Sequence, residues 1–330
     1  TKIAEEIGLG NRTNTILQSA FFKITGIIPY DDAQKEMKHM IDKSYGRKGE
    51  NIVKMNYAAV DRGGEYIKVN VPDEWKEYGY AKFTPESYKR MAPEWVKKIA
   101  DPVNAQCGND LPVSVFQDFS DGTIPAGTAA YEKRAIATSV PSWEAQKCIQ
   151  CNQCAAICPH AAIRPFLTNE EERSKAPNGF KSVQANAQLK EYYFTMQTDP
   201  ADCTGCGNCV DVCPAKEKAL VMQPAETQQE QQKVFTWLHS RVGYRDNIVP
   251  KEQNIKNSQF AQPLFEFSGA CAGCGETPYI KLISQLYGDR MMIANATGCT
   301  SIYSGSFPAS PYCTDKKGRG PAWANSLFED

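Results

Sequence analysis

The chain has 330 residues, 42% of them hydrophobic, and a formal net charge of −1. That length admits roughly one to three domains with ordinary buried cores, and the near-neutral charge argues against an electrostatic footprint for nucleic acid or another polyanion. No apolar run is long enough to cross a bilayer, the N-terminus TKIAEEIGLG lacks a signal-peptide layout, and thirteen cysteines, mostly at metal-ligand spacing, fit a reducing cytoplasm better than a disulfide framework.

Residues 1–100 carry no cysteine. A turn at Pro29–Asp32 leads into an amphipathic helix with Ala33, Met37, Met40 and Ile41 at helical spacing. Asn56–Val60 read as helical and Tyr66–Val71 alternate like a strand, so the stretch is expected to close an α/β domain. Prolines at 72, 85, 93, 102, 112 and 125 break the following chain repeatedly, and 101–130 reads as a linker region. Cys107 there is expected to be a small, partly buried side chain, and Lys97 and Lys98 to be solvated.

Residues 131–225 contain the strongest signal. CIQCNQCAAICPH (Cys148–His160) and CTGCGNCVDVCPA (Cys203–Ala215) both read C-x2-C-x2-C-x3-C-P, the ligand run of a bacterial two-cluster ferredoxin. Three cysteines on a tight loop can face three irons of one cubane, and the fourth, before Pro159 or Pro214, leaves toward the other cluster. The expected ligand sets are Cys148, Cys151, Cys154 with Cys213, and Cys203, Cys206, Cys209 with Cys158. Gly205 and Gly207 suit a loop needing positive φ and N–H groups turned toward sulfur. Zinc also accepts C-x2-C pairs, but a zinc site does not call for two equal runs of four. Each run is followed by a short strand, AAIRPFL or KALVMQP, in an internal repeat with a pseudo-two-fold. Because 44 residues separate Cys158 from Cys203, Thr168–Pro200 reads as an insertion containing a helix over SVQANAQLKEYYFTM. His160 is expected at the surface or hydrogen-bonded to a loop.

Residues 226–262 are polar and Gln-rich, with a helix over Gln228–Arg241 ending near Gly243 and a linker after it; His239 is expected at the surface. From Phe265, CAGCGE (Cys271–Glu276) feeds a helix over Thr277–Leu286. A buried strand over Arg290–Asn295 and a turn at Ala296–Thr300 follow, an arrangement suited to a cofactor-carrying α/β fold. Cys271, Cys274, Cys299 and Cys313 could form a zinc site; alternatively Cys271, Cys274 and Cys299 belong to a third iron–sulfur cluster completed by a thiol beyond Asp330.

The order of an α/β tail ending in YGRKGENIVKMNYAAVDRG, a two-cluster ferredoxin, then CAGCGE, ATGCTSIY and GRGPAWANSLFED resembles the pyruvate:ferredoxin oxidoreductases of the thiamine-dependent 2-oxoacid:ferredoxin oxidoreductase family. The resemblance covers essentially the whole chain, and the absence of an initiating methionine fits a segment of a longer polypeptide. It implies a multidomain α/β and α+β architecture: 1–100 as the C-terminal part of a γ-type α/β domain, 101–130 a linker, 131–225 the two-[4Fe–4S] ferredoxin-type domain, 226–262 a linker, and 263–330 the N-terminal part of a thiamine diphosphate-binding domain.

It further implies oxidation of pyruvate with CoA to acetyl-CoA and CO2, with electrons leaving through three [4Fe–4S] clusters to ferredoxin or flavodoxin. Thiamine diphosphate and Mg2+ are the implied further cofactors, and a homodimer the implied assembly. Carried over by motif, Cys271, Cys274 and Cys299 would hold the cluster next to the thiamine, with Glu276 and Cys299 against the thiamine and Phe328 walling its aminopyrimidine. The diphosphate motif, the activating glutamate, the pyruvate-binding arginine and a fourth proximal cysteine are not recognised in this stretch. The other readings are a ferredoxin-like carrier with a structural zinc site and no catalysis, or an oxidoreductase for another 2-oxoacid.

Overall fold

The computed structural model describes residues 2–10, 12–73, 92–186, 189–305 and 308–325. Two compact units, 1–81 and 82–330, divide the chain.

The described part of the first unit is helical: α1 (Lys2–Glu6), α2 (Asn14–Thr25), α3 (Tyr30–Tyr45) and α4 (Glu50–Arg62). Asp31 and Asp32 lie in the first turn of α3, where the helix dipole favours negative charge. Ala33, Met37 and Ile41 form its buried stripe, whereas Met40, expected with them, is 55% exposed. Gly63 lets the end of α4 meet α2. A Cβ there would lie 2.4 Å from the Ser19 Cβ, and the Ser19 hydroxyl donates to the Val60 carbonyl at 2.6 Å. The strand expected over Tyr66–Val71 does not form: the segment has no pairing partner among the described residues, and Ile67 is 89% exposed. Alternation specifies a strand only where a sheet accepts its backbone groups. No strand lies among this unit's described residues, so the α/β character expected there is not seen.

The second unit begins with a module that looked like a linker. Val96–Ala100 form a π-type turn leading into α5 (Asp101–Asn104), and Val113–Phe119 and Thr128–Tyr131 are 3-10 turns. Trp95 and Ile99 are buried in a cluster with Val115, Phe116 and Phe119. The Trp95 ring meets Phe119 edge-on at 4.5 Å and its N–H donates to the Pro308 carbonyl at 3.1 Å. Residues 92–100 therefore pack with the second unit, and the apolar residues of 101–130 pack onto their cluster. The prolines end regular elements without preventing burial, and apolar residues between them have no period to read. Cys107 is exposed.

Next comes β1 (Ser139–Trp143), α6 (Gln153–Ile157), β2 (Ile163–Thr168), α7 (Glu170–Ser174), β3 (Val183–Gln184), β4 (Tyr193–Thr198), α8 (Asn208–Asp211) and β5 (Leu220–Pro224). β1 pairs antiparallel with β5, and β2 with β4, in register Ile163↔Thr198 to Thr168↔Tyr193. The two expected post-cysteine strands are present as β2 and β5. The helix expected over 182–196 is instead β3, a turn and β4, because Tyr193, Phe194 and Thr195 suit a pleated, half-buried surface and complete the β2–β4–β3 sheet. Trp143, Leu167, Phe194, Met196 and Leu220 form the core between the cysteine runs.

The second presumed linker is also packed. α9 (Glu230–Trp237) continues through a π-type turn over Leu238–Val242 to Gly243, whose φ is 73°. Val234, Phe235 and Leu238 are buried against Phe166 of β2. His239, expected at the surface, is half-buried, stacks on Phe235, and lies 3.1 Å from the Tyr244 hydroxyl.

After α10 (Ile255–Ser258) come α11 (Thr277–Tyr287), β6 (Met292–Asn295), α12 (Cys299–Gly305) and β7 (Ala322–Asn325). β6 and β7 pair in parallel, Met292 opposite Ala322, so β6–α12–β7 has a βαβ arrangement. Cys299 opens a helix where a turn was expected. β6 is not the buried strand predicted: Met292 is 89% exposed, since no described layer covers that side of the pair.

Candidate iron–sulfur and cofactor site

The two cysteine loops have the same local geometry. In the first, the Gln150 N–H donates to the Cys148 sulfur at 3.4 Å; in the second, the Gly205 N–H donates to the Cys203 sulfur at 3.4 Å. Gln150 and Asn152 have φ of 57° and 60°, and Gly205 and Gly207 have 70° and 81°. The second loop thus uses glycine where the first accepts strained side chains. Gln150 offsets the strain by donating to the Gln184 carbonyl at 2.8 Å and accepting from the Asn186 N–H at 3.0 Å; Asn152 donates to the Lys256 carbonyl at 2.9 Å. Each loop then enters a short helix, α6 or α8, which ends near the fourth cysteine.

One cavity is lined by Cys203, Cys206 and Cys209 of the second loop together with Cys158 of the first, closed by Ile163 and Met222. The electrostatic neighbours of Cys148 and Cys203 follow the same crossing, whereas Cys154 faces Cys209 of the other set first. Burial is the main cause that pushes the Cys203 thiol up to about 12, with Cys158 and Cys206 adding to it. Burial also raises Cys209, helped by Cys158 and Cys203. In the other set burial raises Cys148, with Cys151 and Cys213 nearby, and raises Cys154 further. Clustered, buried thiolates are costly unless a positive centre binds them, and the iron of a cubane supplies one. Among the described residues, no three His, Cys, Asp or Glu side chains are gathered closely enough to hold a single metal ion.

Loops from outside the ferredoxin module reach both sets. Gly273, φ 73°, packs so closely that a Cβ would lie 3.5 Å from the Cys206 Cβ, which brings the Cys271–Cys274 loop against the second set. His160 is buried rather than at the surface; its Nδ1 lies 3.1 Å from the Ser268 carbonyl, and its own carbonyl accepts from the Phe267 N–H at 3.0 Å. Lys281 of α11 is 2% exposed and its ammonium donates to the carbonyls of Ala155, of Ala156 at 3.1 Å and of Cys158 at 3.2 Å. Burial pulls that ammonium down to about 8, opposed by the Cys158 and Cys154 thiols. Neither contact was legible in sequence, because each joins residues more than 100 positions apart.

Cys271 and Cys299 are exposed and Cys274 is half-buried. For Cys274, burial is outweighed by the Thr277 and Glu276 N–H groups at the start of α11, and its thiol titrates lower than usual. Glu276, exposed at the N-cap of α11, and Cys274 both act on Tyr303, whose hydroxyl is raised mainly by burial and then by the Glu276 carboxylate. Tyr303 is one turn after Cys299 in α12 and shares its face. Cys313 is buried, and its thiol donates to the Pro263 carbonyl at 3.4 Å. Phe328 lies outside the described residues.

The family model of a 4Fe–4S dicluster domain matches residues 147–217, and one described as a domain of unknown function (EKR) matches 82–137. The chain is 52% identical to a pyruvate-flavodoxin oxidoreductase of Enterobacter agglomerans, over 99% of this chain and 28% of that protein. It is 50% identical to the pyruvate:ferredoxin oxidoreductase of Moorella thermoacetica over 100% of this chain and 28% of that protein. With a probable pyruvate-flavodoxin oxidoreductase of Escherichia coli it shares 44%, again over 28% of the relative. The chain therefore spans under a third of the length of these relatives. No described helix is long and apolar enough to cross a membrane. Along its whole length this chain is homologous to one stretch of the pyruvate-flavodoxin and pyruvate:ferredoxin oxidoreductases, and it carries a 4Fe–4S dicluster domain.

Proposed function

We propose that the chain is the electron-conducting stretch of a thiamine diphosphate- and Mg2+-dependent oxidoreductase that converts pyruvate and CoA into acetyl-CoA and CO2 and reduces ferredoxin or flavodoxin. The observation that carries the proposal is the crossed cavity of Cys203, Cys206, Cys209 and Cys158, beside a loop holding Cys271 and Cys274. Two [4Fe–4S] clusters fit the two sets: each offers four thiols, an N–H directed at sulfur, and burial that only a positive centre offsets. A third would be held by Cys271, Cys274 and Cys299.

When bound, thiamine diphosphate supplies the electron sink for decarboxylation, and the cubanes accept electrons singly. This chain's residues do the positioning. Packing of Gly273 on Cys206 would set a cluster held by Cys271, Cys274 and Cys299 beside the one held by the Cys203 set, and Cys158 would link that set to the Cys148 loop. Cys209 is buried and Cys154 half-buried, which limits the access of water to the sulfurs. The Thr277 and Glu276 N–H groups favour the thiolate form of Cys274 by lowering its titration, and Glu276 with Tyr303 and Cys299 offers one edge to the organic cofactor.

Iron, sulfide and zinc analysis of the full-length protein purified without oxygen tests this. About twelve irons per chain, from three cubanes, with CoA-dependent reduction of ferredoxin by pyruvate, is the expected result. About eight irons with one zinc would instead identify a ferredoxin-like carrier with a structural zinc site.

A further inference from the structure

We propose that Lys281 is a buried positive charge that raises the reduction potentials of the two ferredoxin-type clusters, acting from a helix outside the ferredoxin module. The proposal rests on the assignment of the two cysteine sets to [4Fe–4S] clusters.

Lys281 lies on α11, which starts directly after the Cys271–Cys274 loop. The exposure of α11 is inverted. Thr277, Lys281, Ser284 and Gln285 are buried, whereas Tyr279 is 69% and Ile283 45% exposed. A lysine turned inward on such a helix has to find a partner. Among the described residues no carboxylate pairs with it, and its hydrogen bonds go to three carbonyls at the C-terminal end of α6. That segment carries Cys154 of one set and Cys158 of the other, and is the only stretch of the first loop shared between them. The ammonium also meets the negative end of a helix, although capping alone needs no charge.

A cubane held by four thiolates is negative in both redox states and gains one further negative charge on reduction. A buried cation beside Cys154 and Cys158 therefore favours the reduced state of both clusters, because low dielectric leaves the interaction unscreened. It also ties that setting to the position of the Cys271–Cys274 loop, since the helix that carries Lys281 starts directly after that loop. Lys281 touches no substrate; it is a positioning and charge-supplying residue.

The test uses the full-length enzyme with Lys281→Gln, which keeps hydrogen-bond donors and removes the charge, and Lys281→Arg, which keeps the charge. Iron is counted first, and EPR-monitored redox titrations then follow each cluster. In Lys281→Gln the ratio of reduced to oxidised cluster at fixed ambient potential is expected to fall about tenfold for the ferredoxin-type clusters, or about 59 mV for a one-electron couple. Lys281→Arg should stay within about threefold of wild type, a fraction of that one-electron shift. Unchanged potentials in Lys281→Gln would overturn the proposal and leave a helix cap. If Lys281→Gln loses iron, retention by Lys281→Arg supports the charge requirement, and loss by both overturns it in favour of packing. Wild-type enzyme lacking two ferredoxin-type signals would mark failure of the cluster assignment itself, separately from these outcomes.

Discussion

Replacing Glu266 by Gln tests what holds the ferredoxin-type sheet to the segment that precedes Cys271. Arg164 on β2 is 3% exposed and Glu266 4%. The guanidinium donates to Glu266 at 2.5 Å, to the Ala161 carbonyl at 2.5 Å, and to the Tyr244 hydroxyl. Phe235 and Phe267 stand over it at 5.4 and 4.9 Å. The amide variant preserves shape and leaves a buried cation with no counter-charge, a loss of about 3–5 kcal/mol. The rings and the other acceptors remain and partly compensate the cation, which places the loss toward the lower end of that range. For a unit of this size, about 2–4 °C per kcal/mol translates it into a melting temperature lowered by about 6–20 °C. Calorimetry of the cluster-loaded protein, with iron content matched, provides the assay. A decrease smaller than about 2 °C would refute the assignment of the pair as a stabilising tie. The double variant Arg164→Met, Glu266→Leu should recover most of the loss, since replacing a whole buried pair by apolar groups is often neutral.

Three further outcomes are expected. Cys158→Ser should alter the EPR signal of the cluster held by Cys203, Cys206 and Cys209, and Cys213→Ser that of the Cys148 set; each affecting the cluster of its own run would refute the crossing. Gly205→Ala places a Cβ at φ 70°, 3.0 Å from the Ser139 carbonyl, and should cost about 1–2 kcal/mol in denaturant melts, whereas Gln150→Ala should not add a comparable clash. The His239 imidazole titrates below its ordinary value of 6.5, chiefly through burial. The unfolded chain therefore gains a proton first as pH falls, and stability present above 6.5 declines below it; His239→Gln should flatten that decline in melts taken between about pH 5 and 7.

How much of this was legible in sequence depends on whether the signal was local. The cysteine runs were, because ligand spacing is a property of one loop, and so were β2, β5 and α11. The 182–196 segment misled because its polar spacing fits a helix, while its place in the fold is decided by β2, which accepts the whole length of β4. Tyr66–Val71 failed the opposite way, alternating without a partner. Residues 101–130 and 226–262 read as linkers because proline and glutamine suggest exposed chain. Yet Gln231 accepts from the Gln197 amide at 3.1 Å and donates to the Pro141 carbonyl at 3.2 Å, so its polarity is used inside.

The same reasoning explains which part of the candidate site was missed. Arg164 reaches Glu266, Lys281 reaches the end of α6, and Lys133 pairs with Asp199 at 2.8 Å and with Asp202. Each is a cation withdrawn from solvent, Arg164 and Lys281 buried and Lys133 half-buried, that joins segments distant in sequence, and each in isolation reads as ordinary surface charge. Buried charges are costly without partners, so their positions constrain how the segments dock more sharply than apolar contact, which tolerates small slips. Electron transfer between clusters needs fixed separations, and a loop such as Cys271–Cys274, largely exposed, has little apolar area with which to fix its own. On these grounds the buried cations, more than the hydrophobic clusters, hold the cysteine loops in register.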